Sequence, residues 1–192
     1  MRPALPSQIG SVSTTAPPTA PATDDDFFDT VATDAALSSD GTLSALVPAV
    51  GVTAPWRNGS TIDPRYTCKG ANVAPALSWT EAPEGTQEIA VTMIDEDFNF
   101  DHWTLSGIAP DVTALAENTT PEGAVAALNG NGAAAYTGPC PPARATHTYR
   151  ITIHYLDRAL KLAAGGRADD MRAQIEAATI ATAQVTGTFT GS

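Results

Sequence analysis

The run Gly138-Pro139-Cys140-Pro141-Pro142 packs three prolines, a glycine and a cysteine into five residues, and His147-Thr148-Tyr149-Arg150 follows closely behind it. Proline fixes φ and has no N–H to give to a ladder, so the run is neither helix nor regular strand. Glycine lets a backbone approach a ligand closely. From His147 to Tyr155 the residues alternate as a strand does. A rigid loop that feeds a strand opening with His and Tyr is suited to lining a small polar pocket. Imidazole, phenol and backbone N–H groups all donate hydrogen bonds to a phosphate or a carboxylate.

Strand parity sorts the candidates further. His147, Tyr149, Ile151, Ile153 and Tyr155 share one face, and His154 lies on the other. In the strand expected over His102–Ile108, His102, Thr104 and Ser106 share a face opposite Trp103 and Leu105. Asp95 stands just beyond Met93, at the end of a strand expected over Glu88–Ile94, where a side chain reaches a pocket rim. Apolar residues on both parities of that strand imply burial on both faces. Taken singly, these residues read more blandly. His102 beside Trp103 fits a satisfied core histidine, Tyr149 a core tyrosine, and Glu96 and Asp97 a solvated loop.

The elements that must position these groups are short strands and Gly/Pro-rich turns. Strands are expected at Leu46–Thr53, Ala76–Trp79 and Ala183–Thr190, and Thr148–Leu156 is the clearest of all. Asn58-Gly59 and Ala82–Thr86 mark turns. Ala168–Ala178 suits a helix with Met171, Ile175 and Ala178 on one face. The pattern predicts a mainly β fold, an antiparallel β-sandwich of Greek-key type with two sheets and one or two short peripheral helices. Residues 1–45, rich in Thr, Pro, Ala and Asp, cannot build a core and read as a disordered tail or tether, with a short helix around Asp25–Leu37. The domain proper is expected over residues 46–192.

The chain has 192 residues, 43% hydrophobic, and a net charge of −11. Asp24, Asp25, Asp26, Asp29, Asp34 and Asp40, offset by Arg2, carry nearly half of that charge in the tail. Lys69 and Lys161 are the only lysines. Such a balance disfavours nucleic acid and anionic membrane surfaces as partners. No run approaches membrane-spanning length. Met1–Ser7 lacks the charged start and apolar core of a signal peptide. The Ser/Thr/Ala/Pro stretch Ser11–Thr23 has the composition of tethers behind exported domains. We therefore expect an exported or envelope-associated protein, with a cytoplasmic home as the alternative.

Several motifs in order resemble the phosphatidylethanolamine-binding protein family, specifically its bacterial Raf-kinase-inhibitor-like branch. They are Tyr66-Thr67-Cys68-Lys69-Gly70-Ala71-Asn72, Pro75-Ala76-Leu77-Ser78-Trp79, Pro83-Glu84-Gly85-Thr86, Asp95-Glu96-Asp97, His102-Trp103, Asn129-Gly130-Asn131-Gly132 and the stretch Tyr136–Tyr149. The resemblance implies the same sandwich. It places Asp95, His102, His147 and Tyr149 around one small anion-accepting cavity, with Asp97 close by and Gly138, Pro139 and Pro141 as a backbone wall. A carboxylate there repels an anion unless it is protonated or held by histidine, or else it meets the ammonium of a zwitterionic headgroup. The implied ligand is phosphate, phosphoethanolamine or a carboxylate, bound without cofactor or chemistry.

A protease-inhibitor or signalling role through an unidentified protein partner is the alternative. A hydrolase relying on Cys68 or Cys140, and a metal site built from these cysteines with His102 and His147, are weaker readings. Both cysteines fall in pocket motifs, so we expect them near each other, disulfide-bonded if the protein is exported and buried as thiols if it is cytosolic. Two departures from the family pattern stand out. The acidic loop lacks its proline and is short, and Ala143-Arg144-Ala145-Thr146 lacks the usual glycine. Phe98 and Phe100 make the rim more apolar.

Overall fold

The computed structural model describes residues 50–192. The expected tail, its helix at 25–37 and residues 46–49 of the first expected strand lie outside the described residues. A small sheet contains β1 (Val52–Thr53), β2 (Leu77–Trp79) and β5 (Ala114–Leu115), in the order β1-β2-β5. A larger one contains β3 (Glu88–Asp95), β4 (Phe100–Ile108), β6 (Val125–Ala126), β7 (Thr146–Leu156) and β8 (Thr179–Thr190), in the order β6-β4-β3-β7-β8. Every pairing between these strands is antiparallel. One helix, α1 (Ala168–Ala178), and a 3-10 turn at Pro64–Tyr66 complete the described elements. The two-residue strands β5 and β6 carry too little pattern to be expected from sequence.

Burial explains why β3 is apolar on both parities and why β7 alternates. Ile89, Val91 and Met93 join Ile151, Ile153 and Tyr155 against Leu77, Trp79 and Leu115 of the small sheet. On the opposite face, Ala90 and Leu156 pack on Ile175 and Ala178 of α1. The large sheet is thus the middle of three layers. Each fully buried Ile, Leu or Met in it contributes roughly 1.5–3 kcal/mol of transfer free energy.

The helix follows its expected span, with Ala168, Met171, Ile175 and Ala178 buried. Asp169 and Asp170 sit in its first turn, where negative charge suits the macrodipole. Its end is unusual because no loop follows. The Thr179 hydroxyl donates to the Ile175 carbonyl at 2.7 Å, satisfying one orphan acceptor, and Thr179 already pairs with Leu156. Strand β8 therefore begins four positions before its expected start, carried by the β-branched Thr179, Ile180 and Thr182.

Strands β4 and β7 each begin two residues before expectation, and this brings Phe100 and Thr146 into the sheet. Strand β4 also departs from simple alternation. Met93 pairs with Trp103 and Ile94 with Asp101, so His102 is an extra residue opposite the Met93/Ile94 junction. A β-bulge of this kind re-aims a side chain. It turns His102 to the same face as Trp103 and Leu105, which parity had set opposite. Asp101 is left on the helix side, where it meets Arg172 of α1 at 2.9 Å.

Candidate functional site

At one end of the large sheet the inner-face strand ends and the proline run enclose a cleft of about 440 Å³. Asp95 comes from the end of β3, Phe100 and His102 from the start of β4, and His147 from the start of β7. Phe98, Asn131, Thr137, Gly138, Cys140, Pro141 and Pro142 complete the lining. Strand register explains the meeting, since Asp95 pairs with Phe100 on one side and with Tyr149 on the other.

Each histidine is held through Nδ1. His102 Nδ1 lies 2.7 Å from the Thr137 carbonyl oxygen, which only accepts, so this nitrogen carries the proton. His147 Nδ1 lies 2.6 Å from Asp95 Oδ2. The other oxygen of Asp95 accepts from the Asp97 and Phe98 amides at 2.9 and 3.2 Å. The carboxylate is therefore occupied on both oxygens and fixes the His147 tautomer. Neither histidine Nε2 has a protein partner among the described residues, and neither is sealed from the cleft. Burial pushes the His102 imidazole below its usual range, against the opposing pull of the Thr137 carbonyl and Asp95.

The structure gives the other expected residues different places. Tyr149 is fully buried beneath the cleft, its ring edge-on to His102 with centroids 5.1 Å apart and facing His147 at 6.4 Å. Among the described residues its hydroxyl has no partner of good hydrogen-bond geometry, although Asp95 stands near it. Burial, then the nearby Asp95 charge, raise its pKa above the usual phenol range, so it stays a phenol. Asp97 stays near His147 but outside the lining, and accepts from the Thr148 amide at 2.7 Å. Pro139 accepts from the Cys68 amide through its carbonyl at 3.1 Å. These three position the cleft without lining it. His154 lies on the far face against Thr92 and Thr179, as parity required.

The proline wall is built by packing against residues 66–72. A Cβ on Gly138 would stand 2.3 Å from the Tyr66 carbonyl oxygen, so glycine here serves loop-to-loop contact. Its amide donates to Asn72 Oδ1 at 2.7 Å, and the Thr137 amide donates to the His102 carbonyl. With three prolines in the run, the Cys140 N–H is its one backbone donor without a protein acceptor among the described residues. The Tyr136 hydroxyl donates to the Tyr66 carbonyl at 2.6 Å. The Cys68–Cys140 disulfide, Cα atoms 5.4 Å apart, ties the two segments covalently. No free cysteine remains, so neither a thiolate nucleophile nor thiolate metal ligands are available in this state.

Asp95, Asp97 and His147 bring one possible ligand atom each within 4.8 Å of one another. Their internal hydrogen bonds already account for that grouping. Two rings give the cleft an apolar collar. Phe98 is 71% exposed and stacks on His147 with centroids 5.5 Å apart. Phe100 tilts against His102 at 4.8 Å and occupies the space a Cβ on Gly130 would need. Sequence reasoning missed Thr137 and Asn131. Thr137 acts through its main-chain carbonyl, which no side-chain pattern signals. Asn131 lies in the Asn-Gly-Asn-Gly turn, where Asn129 Oδ1 receives the amides of Asn131 and Ala133.

Comparison with known proteins identifies the family of the chain. A family model described as phosphatidylethanolamine-binding protein matches residues 52–190. A candidate lipoprotein of Mycobacterium tuberculosis, LppC, is 39% identical over 140 residues, covering 71% of this chain and 69% of that protein. A UPF0098 protein of Methanothermobacter thermautotrophicus is 34% identical over 136 residues, covering 67% of this chain and 89% of that protein. Among solved structures, YbcL of Escherichia coli, described as a member of the mammalian PEBP family, superimposes with a TM-score of 0.70 at 27% identity. It covers 74% of this chain and 99% of its own. CT736 of Chlamydia trachomatis, described as a phosphatidylethanolamine-binding protein homologue, gives a TM-score of 0.68 at 29% identity over 75% and 99%.

Proposed function

Because this chain belongs to the phosphatidylethanolamine-binding protein family, we propose that its cleft binds a small phosphate- or carboxylate-bearing molecule without transforming it. The observation that carries this reading is the pair of imidazoles anchored at Nδ1, each leaving Nε2 to the cleft. A polar head fits against His102 and His147. The Phe98–Phe100 collar and the Pro141–Pro142 wall suit an apolar substituent on that head. A headgroup such as phosphoethanolamine has this character, and its ammonium has Asp95 within the same cleft.

The proposed location is the cell envelope. Support comes from the Ser/Thr/Ala/Pro composition of residues 11–23, from a disulfide of the kind that persists in oxidising compartments, and from similarity to a candidate lipoprotein. No helix among the described residues is long and apolar enough to cross a membrane.

Calorimetric titration of phosphoethanolamine and of inorganic phosphate into wild type, His102→Ala and His147→Ala tests the site. Loss of one charge-assisted hydrogen bond weakens binding by roughly 1.5–3 kcal/mol, about tenfold to a hundredfold. Unchanged affinity in both variants, with intact circular dichroism, rejects the cleft as the site.

A further inference from the structure

The way the two imidazoles are anchored fixes more than their position. A carbonyl oxygen and a carboxylate both accept, so each Nδ1 is the donor and each neutral ring turns an Nε2 lone pair into the cleft. Sequence reasoning treats both histidines as donors to an anion, but with the rings neutral neither can donate there. Two further donors are also taken, because the Thr137 and Gly138 amides are spent on His102 and Asn72. Apart from neutral donors such as the open Cys140 N–H and the Thr137 hydroxyl, a fully deprotonated oxyanion would face the two imidazole lone pairs and the Asp95 carboxylate, with no cationic donor. A head that brings its own O–H would find acceptors waiting.

Resting on the oxyanion-binding reading above, we propose that the cleft selects the protonated form of its ligand, a phosphate monoester as its monoanion, with at least one proton held between a ligand oxygen and a histidine Nε2. Dianionic phosphate, sulfate esters and phosphodiesters lack that O–H and are discriminated against. The groups facing the two imidazoles are consistent with this. They are Asp95 from β3, Asp97 from the turn after it, Tyr149 from β7 and the two imidazoles themselves. Phe98 and Phe100 are apolar, and the proline wall has no titrating group because Cys140 is in the disulfide. Among the described residues no lysine or arginine lines the cleft, so none of them meets the ligand's charge with a fixed cation. Burial, which disfavours the imidazolium of His102, acts in the same direction.

Phenyl phosphate and phenyl sulfate form a matched pair of probes. Ring, tetrahedral head and, near pH 5.5, net charge agree, and only the O–H differs. Calorimetry on the full chain from pH 5.5 to 8, in two buffers of different ionisation heat, reads affinity and proton uptake together. Phenyl phosphate is expected to bind at least tenfold tighter than phenyl sulfate at pH 5.5. Its affinity is expected to fall about tenfold per pH unit above its second pKa of about 6, with uptake of one proton or more per ligand at pH 8. Equal affinities for the two probes, or zero uptake at pH 8, overturn the selection while leaving the oxyanion site in place. Binding of neither probe, nor of phosphate, overturns both.

Asp95→Asn supplies an independent check. Its side-chain oxygen can keep the Asp97 and Phe98 amides, which places the amide nitrogen opposite His147 Nδ1. Donation to Nδ1 moves the ring proton to Nε2 and makes it a donor into the cleft. The phosphate-to-sulfate preference should then shrink at least tenfold, with less proton uptake. Imidazole ¹⁵N spectra of the wild type report the tautomers even if the variant fails to fold. A protonated Nε2 on both neutral rings would sink the proposal.

Discussion

Removing the Cys68–Cys140 disulfide should lower stability by about 4 kcal/mol while leaving the cleft assembled. The bond closes a loop of sequence separation 72. The chain-entropy relation assigns such a loop about 4 kcal/mol at 25 °C, exerted on the denatured ensemble. In the native state, three hydrogen bonds span the same two segments without it. These are Cys68 N–H to the Pro139 carbonyl at 3.1 Å, Tyr136 hydroxyl to the Tyr66 carbonyl at 2.6 Å, and Gly138 N–H to Asn72 Oδ1 at 2.7 Å. At roughly 1 kcal/mol each they are enough to keep the proline wall in register once the chain is folded. The double variant Cys68→Ser/Cys140→Ser should therefore unfold at lower urea concentration with little change in ligand affinity. Trp56, Trp79 and Trp103 are all buried and report unfolding by fluorescence. At roughly 2–4 °C per kcal/mol, the melting temperature should drop by about 10–15 °C. A loss below about 1 kcal/mol would refute the denatured-state argument. A tenfold affinity loss in the folded variant would refute the claim that the hydrogen bonds alone hold the wall.

His154 makes a separate acid-sensitive contribution. Burial lowers its folded pKa from 6.5 to about 4, so the neutral ring is favoured in the native state and the unfolded chain takes up the proton first. Its contribution is complete above about pH 6.5 and is lost as pH falls toward 4, amounting to about 2 kcal/mol between pH 7.5 and pH 5. Urea titrations of wild type and His154→Gln should differ in slope by that amount, and parallel pH profiles would exclude it. Gly138→Ala places a Cβ against the Tyr66 carbonyl and Thr67 Cα, both backbone, so it should cost roughly 1–3 kcal/mol and weaken binding as well; a wild-type melting curve would show that the wall yields freely. Arg144 sits at φ 66°, in the left-handed region that favours glycine. Arg144→Gly should be neutral or slightly stabilising, and Arg144→Val should cost roughly 1–2 kcal/mol, as thermal melts of the pair will report.

Much of the fold was legible because its signals are local. Alternation marks β7 from Thr148 onward, apolar residues on both parities mark β3, and the apolar spacing of Met171, Ile175 and Ala178 marks α1. The pairing of site residues was equally accessible where parity is unbroken, which is why His147 and His154 could be assigned to opposite faces. Alternation fails at His102. The β-bulge that turns it inward arises from register between two strands, and no pattern within β4 announces it. Asp97, Pro139 and Tyr149 stand in the right motifs, yet they act as a turn, a strut and a floor. Those roles depend on what lies opposite each of them, namely the Thr148 amide, the Cys68 amide and the two imidazoles.

The sequence by itself determined the fold class, the histidine-bearing strands, the proline wall and the family. Each rests on residue types and spacings that persist whatever the chain packs against. Only the tertiary structure decided which nitrogen of each histidine is anchored and which is left open to the cleft. That choice belongs to the Thr137 carbonyl and the Asp95 carboxylate, 35 and 52 positions away along the chain. A hydrogen bond over such a separation exists only after the sheet has formed. The anchoring of both rings at Nδ1 is therefore a property of the assembled fold.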